Sequence, residues 1–158
     1  VTASTVGFEV RVASGEADMA ACFAVRTEVF VVEQSVPESI EYDAYDAGAV
    51  HVLAVGADGE PLGTGRLLHG DAVLAKTGSS EVGSLGRLAV GKSARGSGVG
   101  VALVRAIEAE AVALGLAAVE LGAQTHALGF YERLGYVAYG PEFQDAGIPH
   151  RAMRRALP

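Results

Sequence analysis

Leu85-Gly86-Arg87-Leu88-Ala89-Val90-Gly91-Lys92-Ser93-Ala94-Arg95-Gly96-Ser97-Gly98-Val99-Gly100 decides how this chain is read. It opens on an apolar segment with strand character and passes into a glycine-rich run. An alanine-rich segment of helical character, 99–114, leads out of it. Strand, glycine turn and helix start together make an anion site. Glycine lets backbone N–H groups come close to a ligand and adopt positive φ. The first turn of a helix has unpaired N–H groups and a partial positive charge aimed at the same point. A pyrophosphate suits that geometry, so the stretch predicts a grip on a phosphorylated cofactor.

Charge bears on the same question. The formal net charge is -7, which opposes general nucleic-acid binding and leaves an anionic cofactor dependent on local positive charge. Arg87, Lys92 and Arg95 crowd the turn and are candidates to supply it; the alternative is that they are ordinary solvated charges. The chain has 158 residues, half of them hydrophobic, enough for one domain over 1–158 with a sizeable core. No apolar run reaches the length of a membrane span, and no basic-then-apolar leader is visible. The single cysteine, Cys22, excludes an internal disulfide, fits a cytoplasmic setting and reads as a small core residue on a helix.

Working outward, Val6, Phe8, Val10 and Val12 alternate as in a half-buried strand. Ser14 offers an N-cap, with Glu16 and Asp18 in the first turn of a helix that should end before Pro37. Residues 34–48 read as an acidic loop or short irregular helix. Strands are expected at 50–56 and 62–68, joined by the Asp58-Gly59 turn signal, then a polar or weakly apolar connection at 70–80 and a strand at 82–90. After the helix, Gly115 stands at a C-cap position. A strand at 116–121 should run parallel to 82–90, since a helix separates them. A short helix at 125–134, closed by Gly135, precedes a closing pair at 136–139 and 150–154. The order β-α-β-β-β-α-β-α-β-β predicts an α/β (α+β) fold with a mixed sheet.

Two familiar patterns fail on physical grounds. Gly86 to Ser93 fits the written phosphate-loop pattern G-x-x-x-x-G-K-S. That loop needs its strand before the first glycine and its helix at the Lys-Ser; here the strand lies between the glycines, and Ala-Arg-Gly-Ser-Gly follows. The dinucleotide fingerprint G-x-G-x-x-G fails because Gly96, Gly98 and Gly100 are spaced two and two, and the chain is too short for a dinucleotide fold.

Arg95-Gly96-Ser97-Gly98-Val99-Gly100 instead resembles the (Q/R)-x-x-G-x-(G/A) signature of the GNAT superfamily of N-acetyltransferases. Residues 127–136, A-L-G-F-Y-E-R-L-G-Y, resemble that family's A-x-x-F-Y-x-x-L-G-F segment. The two motifs lie about thirty residues apart with one strand between, and the element order fits along essentially the whole chain. Residues 26–34, R-T-E-V-F-V-V-E-Q, together with Gln124-Thr125 and Gly147-Ile148-Pro149-His150, resemble a bacterial branch of the superfamily. The resemblance implies a GNAT-like acyl-CoA N-acyltransferase fold whose central sheet is splayed between the strands at 85–90 and 116–121. It implies that acetyl-CoA is the co-substrate and that no metal is needed. Leu88, Ala89 and Val90 would hold the pantetheine arm, and Arg95, Gly96, Ser97, Gly98, Val99 and Gly100 the pyrophosphate.

The implied activity is transfer of an acetyl group to an amine. A neutral amine must form, an oxyanion needs donors, and a thiolate must leave. The N–H of Leu88 or Val90 is placed for the oxyanion by the resemblance. Tyr131 is the candidate acid for the leaving sulfur, against the alternative of a half-buried core aromatic. His150, stiffened by Ile148-Pro149, is the first candidate base, with an ordinary structural histidine as the alternative. Glu33 is second, acting through water; His126 and His51 are third. Arg26, Phe30 and Gln124 are candidates for acceptor binding. For Arg26 the competing reading is a salt bridge to an acid of the following loop, such as Asp43 or Asp46.

Two other functions compete. The order Arg26, Phe30, Glu41, Asp43, Asp46, Arg66 is similar to that of acyl-homoserine-lactone synthases, which share the core. A non-catalytic acetyl-CoA-binding module is the second. The acceptor is expected to be a small-molecule amine or a peptide N-terminus, with no nucleic acid and no membrane; a homodimer is possible.

Overall fold

The computed structural model describes residues 7–41 and 43–158; Val6 lies outside them. Strand β1 (Phe8–Val12) leads into helix α1 (Gly15–Arg26). The Asp18 carboxylate accepts the Ser14 N–H at 3.0 Å and so helps close the helix start. The helix expected to run to Pro37 changes character instead. From Thr27 to Glu33 it is a π-helix, with the Gln34 N–H reaching back to the Val29 carbonyl at 3.1 Å. Such wide turns often mark functional sites. Helix α2 (Glu38–Glu41) and a 3₁₀ turn at Ala44–Gly48 complete the irregular stretch.

Strands β2 (Val50–Gly56) and β3 (Pro61–Leu68) form the hairpin that Asp58-Gly59 announces, with Gly59 at φ 84°. The connection at 70–80, to which the sequence reading assigns no element, carries helix α3 (Asp71–Thr77), ended by Gly78 in the left-handed region. Strand β4 (Val82–Val90), a 3₁₀ turn at Lys92–Ala94 and helix α4 (Val99–Ala113) follow. The strand runs on through Gly86 to Val90, only a single 3₁₀ turn stands at Lys92-Ser93, and the α-helix starts at Val99, so the layout of a phosphate loop is not met. Strand β5 (Ala118–Gln124) starts and ends later than expected, and helix α5 is Leu128–Arg133. The closing pair is longer than expected: β6 (Val137–Asp145) and β7 (Ile148–Ala156). They turn at Ala146-Gly147, both at positive φ, as a tight hairpin requires.

The seven strands form one mixed sheet in the order β1-β2-β3-β4-β5-β7-β6. Helices α1 and α4 cover opposite faces. Leu53 and Val55 of β2 pack with Cys22 of α1, whereas Val52 and Ala54 belong to the main core with Leu103, Val104 and Ile107 of α4. α4 lies very close to β3. A Cβ on Gly63 would come within 3.0 Å of Leu103, Val99 and the Ala89 carbonyl, so only glycine permits that approach.

Two irregularities in β4 open the sheet. Its parallel pairing with β5 runs only from Val82 opposite Ala118 to Leu85 opposite Leu121. Beyond that the strands part, which is the splay the family resemblance implies. The cause lies on the other edge of β4. Arg66 faces Gly86 and Thr64 faces Ala89, so Gly65 alone stands opposite Arg87 and Leu88. This is a β-bulge, with Arg87 at φ 51°. It reverses the alternation of side chains: Leu85 and Leu88 both face the α4 core, and Ala89 packs with Val25 and Val29 on the α1 side.

Candidate active site

The gap between the diverging strands widens into a cleft of about 1320 Å³. Residues 88–90 of β4 form one lip and residues 121–124 of β5 the other; the glycine turn and the start of α4 close one end.

The geometry at the glycine-turn end follows from backbone direction. Gly91 N–H pairs with the Leu62 carbonyl on the β3 side at 2.9 Å. Val90, one residue back, therefore points the other way, and its carbonyl accepts the Arg95 Nε–H at 3.0 Å. N–H and C=O of one strand residue share a direction, and residues two apart share it too. The polar groups of Val90 and Leu88 thus face the open gap. Gly96 and Gly98 take φ 78° and 88°, and Gly98 is the N-cap of α4. The Ser97 hydroxyl donates to the Ala94 carbonyl, tying the turn to the preceding 3₁₀ turn. The first N–H groups of a 15-residue helix, from Val99 and Gly100 onward, then face the cleft end.

Arg95 does not wait alone. Its guanidinium holds both oxygens of Glu33, at 2.8 and 2.6 Å, and so crosses from the turn to the π-helix. The hydrogen bonds from Arg95 keep the Glu33 carboxyl below the usual carboxylate range. An ionised carboxylate with both oxygens engaged is a poor general base, which weakens the expectation for Glu33. The next residue, Gln34, accepts from Gln124 Nε2 on the β5 side at 2.9 Å, and Gln124 Oε1 lies 2.6 Å from His126 Nε2. Residues 33 and 34 therefore link the glycine turn at the cleft end to the β5 lip.

Tyr131 sits on α5, buried against Phe130 and Tyr136, and lines the cleft. No described residue pairs with its hydroxyl, and burial pushes the phenol well up. The group therefore stays protonated and is free to donate. His150 is nearly buried on β7, opposite Gln124, with its ring stacked on Phe143 at 5.7 Å. Its Nδ1 lies 2.7 Å from the Ile148 carbonyl. A carbonyl only accepts, so Nδ1 carries the hydrogen and Nε2 keeps the lone pair of the neutral ring. Phe30 lines the cleft from the π-helix and packs beside Val25, Val29 and Ala89.

The remaining expectations divide. Arg26 is a correction. It is fully buried, donating to Glu41 at 2.6 Å and to Asp46 at 2.8 Å, so it belongs to an internal ion-pair network and does not meet an acceptor. The salt-bridge reading holds, with Asp46 and with Glu41 of the same acidic stretch. Arg66 joins Asp43 and Asp46 at 2.7 and 2.9 Å, and Arg87 reaches Asp43 at 3.1 Å. The residues that suggested a lactone synthase, Phe30 apart, are thus members of one network. His51 is buried behind it, bonded to the Asp46 carbonyl at 2.9 Å, away from the cleft. Cys22 is buried and burial raises its thiol, as a core residue. Among the described residues no group of His, Cys, Asp and Glu is arranged to hold a metal.

Sequence reading missed Glu120, Tyr139 and Phe143, which line the far half of the cleft. The signal was present only in part. Alternation along 118–124 puts 120, 122 and 124 on one face, but nothing local says which strand lies beside them.

Residues 10–157 match the family model for the acetyltransferase (GNAT) domain. The chain is 39% identical over 146 residues to the uncharacterized N-acetyltransferase YjcF of Bacillus subtilis, covering 91% of this chain and 96% of that one. The structure of an acyl-CoA N-acyltransferase from Pseudomonas aeruginosa superposes with a TM-score of 0.77 at 33% identity, over 94% of this chain and 98% of that one. The acyl-homoserine-lactone synthase LasI superposes with a TM-score of 0.74 over 96% of this chain and 90% of that one. At 20% identity it shares the fold alone.

Proposed function

The chain belongs to the acetyltransferase (GNAT) family, and from that membership we propose that it is one domain over 1–158 transferring an acetyl group from acetyl-CoA to an acceptor amine by direct attack in a ternary complex. The observation that carries this is the edge of β4 at Leu88 and Val90, which no strand pairs, running into the glycine turn beside the gap. The thioester supplies the acyl group: the C–N bond forms, the C–S bond breaks, and the sulfur leaves as thiolate.

The chain's residues then have separable tasks. Backbone N–H groups at 96–100 hold the diphosphate, and Arg95 exchanges Glu33 for it. Leu88 and Val90 align the pantetheine arm by strand-like pairing, and one of their N–H groups donates to the oxyanion. Tyr131, neutral and unpaired, donates to the departing sulfur. His150 Nε2 takes the proton from the acceptor ammonium.

Turnover is tested by thiol release over a panel of amine classes. Tyr131→Phe and His150→Ala are expected to keep acetyl-CoA affinity and to lose roughly 100-fold or more in kcat. Unchanged rates in both would remove these role assignments. Binding of acetyl-CoA with no turnover of any amine would favour a non-catalytic module.

A further inference from the structure

The α1-side face of the sheet can be read row by row from the strand register. One row runs Ser84, Glu120, Arg154 across β4, β5 and β7. Two residues further along, Gly122 faces Ala152, which faces Tyr139 of β6. The next row runs Gln124, His150, Phe143. The middle row has almost no side chain at its centre, so a hollow lies over Gly122 between taller rows. The Phe143 ring overhangs it: a Cβ on Gly122 would stand 3.2 Å from the ring edge.

The hollow has a charge character. Glu120 Oε1 accepts from Arg154 at 2.7 Å and from the Tyr139 hydroxyl. Glu120 Oε2 has no partner among the described residues, and the residue lines the cleft. Rows two residues apart are separated by about 7 Å, so a small group seated over Gly122 is within reach of Glu120 on one side and His150 on the other. Tyr139 and Phe143 add two exposed aromatic rings, at 43% and 42% exposure.

We propose that the hollow over Gly122 seats the primary ammonium of the acceptor between Glu120 and His150, and that the acceptor is a small amine with a flat apolar body laid against Phe143 and Tyr139. This rests on the acetyl-transfer reading above. A cation suits the free carboxylate oxygen, and the net charge of -7 favours its approach; Arg154 already lies over one face of Tyr139 and His150 stacks on one face of Phe143, which leaves the other faces for the apolar body. A bulky branched group next to the nitrogen would meet the Phe143 overhang. Glu120 is then a specificity-determining residue and Gly122 the seat.

The test is binding, measured by NMR titration of phenethylamine into the CoA-bound enzyme, with hydrocinnamate as the anion of similar body. Saturable binding of phenethylamine and none of hydrocinnamate is expected. Gly122→Ala and Gly122→Val should weaken phenethylamine stepwise, the larger residue by about tenfold or more, and Glu120→Gln by about tenfold. Affinity for CoA should stay unchanged in all three. Absent phenethylamine binding, equal binding of the two probes, or Gly122 variants that bind like the parent would overturn the proposal. Loss of CoA binding in the parent protein would instead remove the acetyl-transfer reading itself, so the two failures are distinct.

Discussion

Arg26 is the clearest case of a charge whose purpose depends on its partners. The sequence offers a cation on an apolar helix face, equally suited to an acceptor carboxylate or an internal acid. The folded chain places it with Glu41 and Asp46 at zero exposure. Removing one side of a buried pair leaves the other uncompensated, at a cost of about 3–5 kcal/mol. Arg26→Ala is therefore expected to lower the urea midpoint strongly, with KM for the acceptor unchanged in whatever fraction stays folded. Asp46 supplies a second prediction. Burial alone would raise its carboxyl, but hydrogen bonds from Arg26 and Arg66 outweigh that and bring it from 3.8 to about 2. A depressed folded value stabilises above the unfolded one, so the contribution is complete above about pH 4 and is lost as pH falls toward 2. It amounts to about 2 kcal/mol at most. Denaturant titrations from pH 6 to pH 2.5 should show this acid limb, and Asp46→Asn should flatten it.

At the scale of elements, what could be read depended on how local the cause was. The Asp58-Gly59 hairpin, the Gly115 helix end and the β4-turn-α4 unit are set by residues within a few positions, and all stand where expected. Helix α3 escaped because Asp71–Thr77 is short and weakly patterned. The π-helix escaped because its wide turns keep an apolar rhythm close to that of an α-helix. The bulge at Arg87 escaped because its reason lies in β3, where a single residue faces two. The glycine turn gives a test at this scale. Gly98 stands at φ 88° with open space around it, so Gly98→Ala acts through backbone strain alone. We expect a stability loss of about 1–2 kcal/mol and acetyl-CoA binding weakened about tenfold, as the turn relaxes away from its anion-binding shape. Thermal unfolding and calorimetry together check this; a destabilised protein with unaltered affinity would place the diphosphate elsewhere.

Across the whole molecule, a mixed sheet opens where a bulge on one edge of β4 ends its pairing on the other. That opening brings Leu88 and Val90, the 95–100 turn, Tyr131 and His150 to one cleft although they are spread over sixty residues. The glycine-turn end of the cleft was legible because its geometry is carried by contiguous residues. The far end was not, because Glu120, Tyr139 and Phe143 meet only through the order in which β5, β7 and β6 lie side by side. Titration calorimetry with acetyl-CoA beside S-acetylpantetheine, which lacks the diphosphate, tests the central claim most directly. The account predicts saturable one-to-one binding of acetyl-CoA and at least about 100-fold weaker binding of the truncated thioester, a difference of about 2.7 kcal/mol. Equal affinities, or no heat from acetyl-CoA with folded protein, would contradict it.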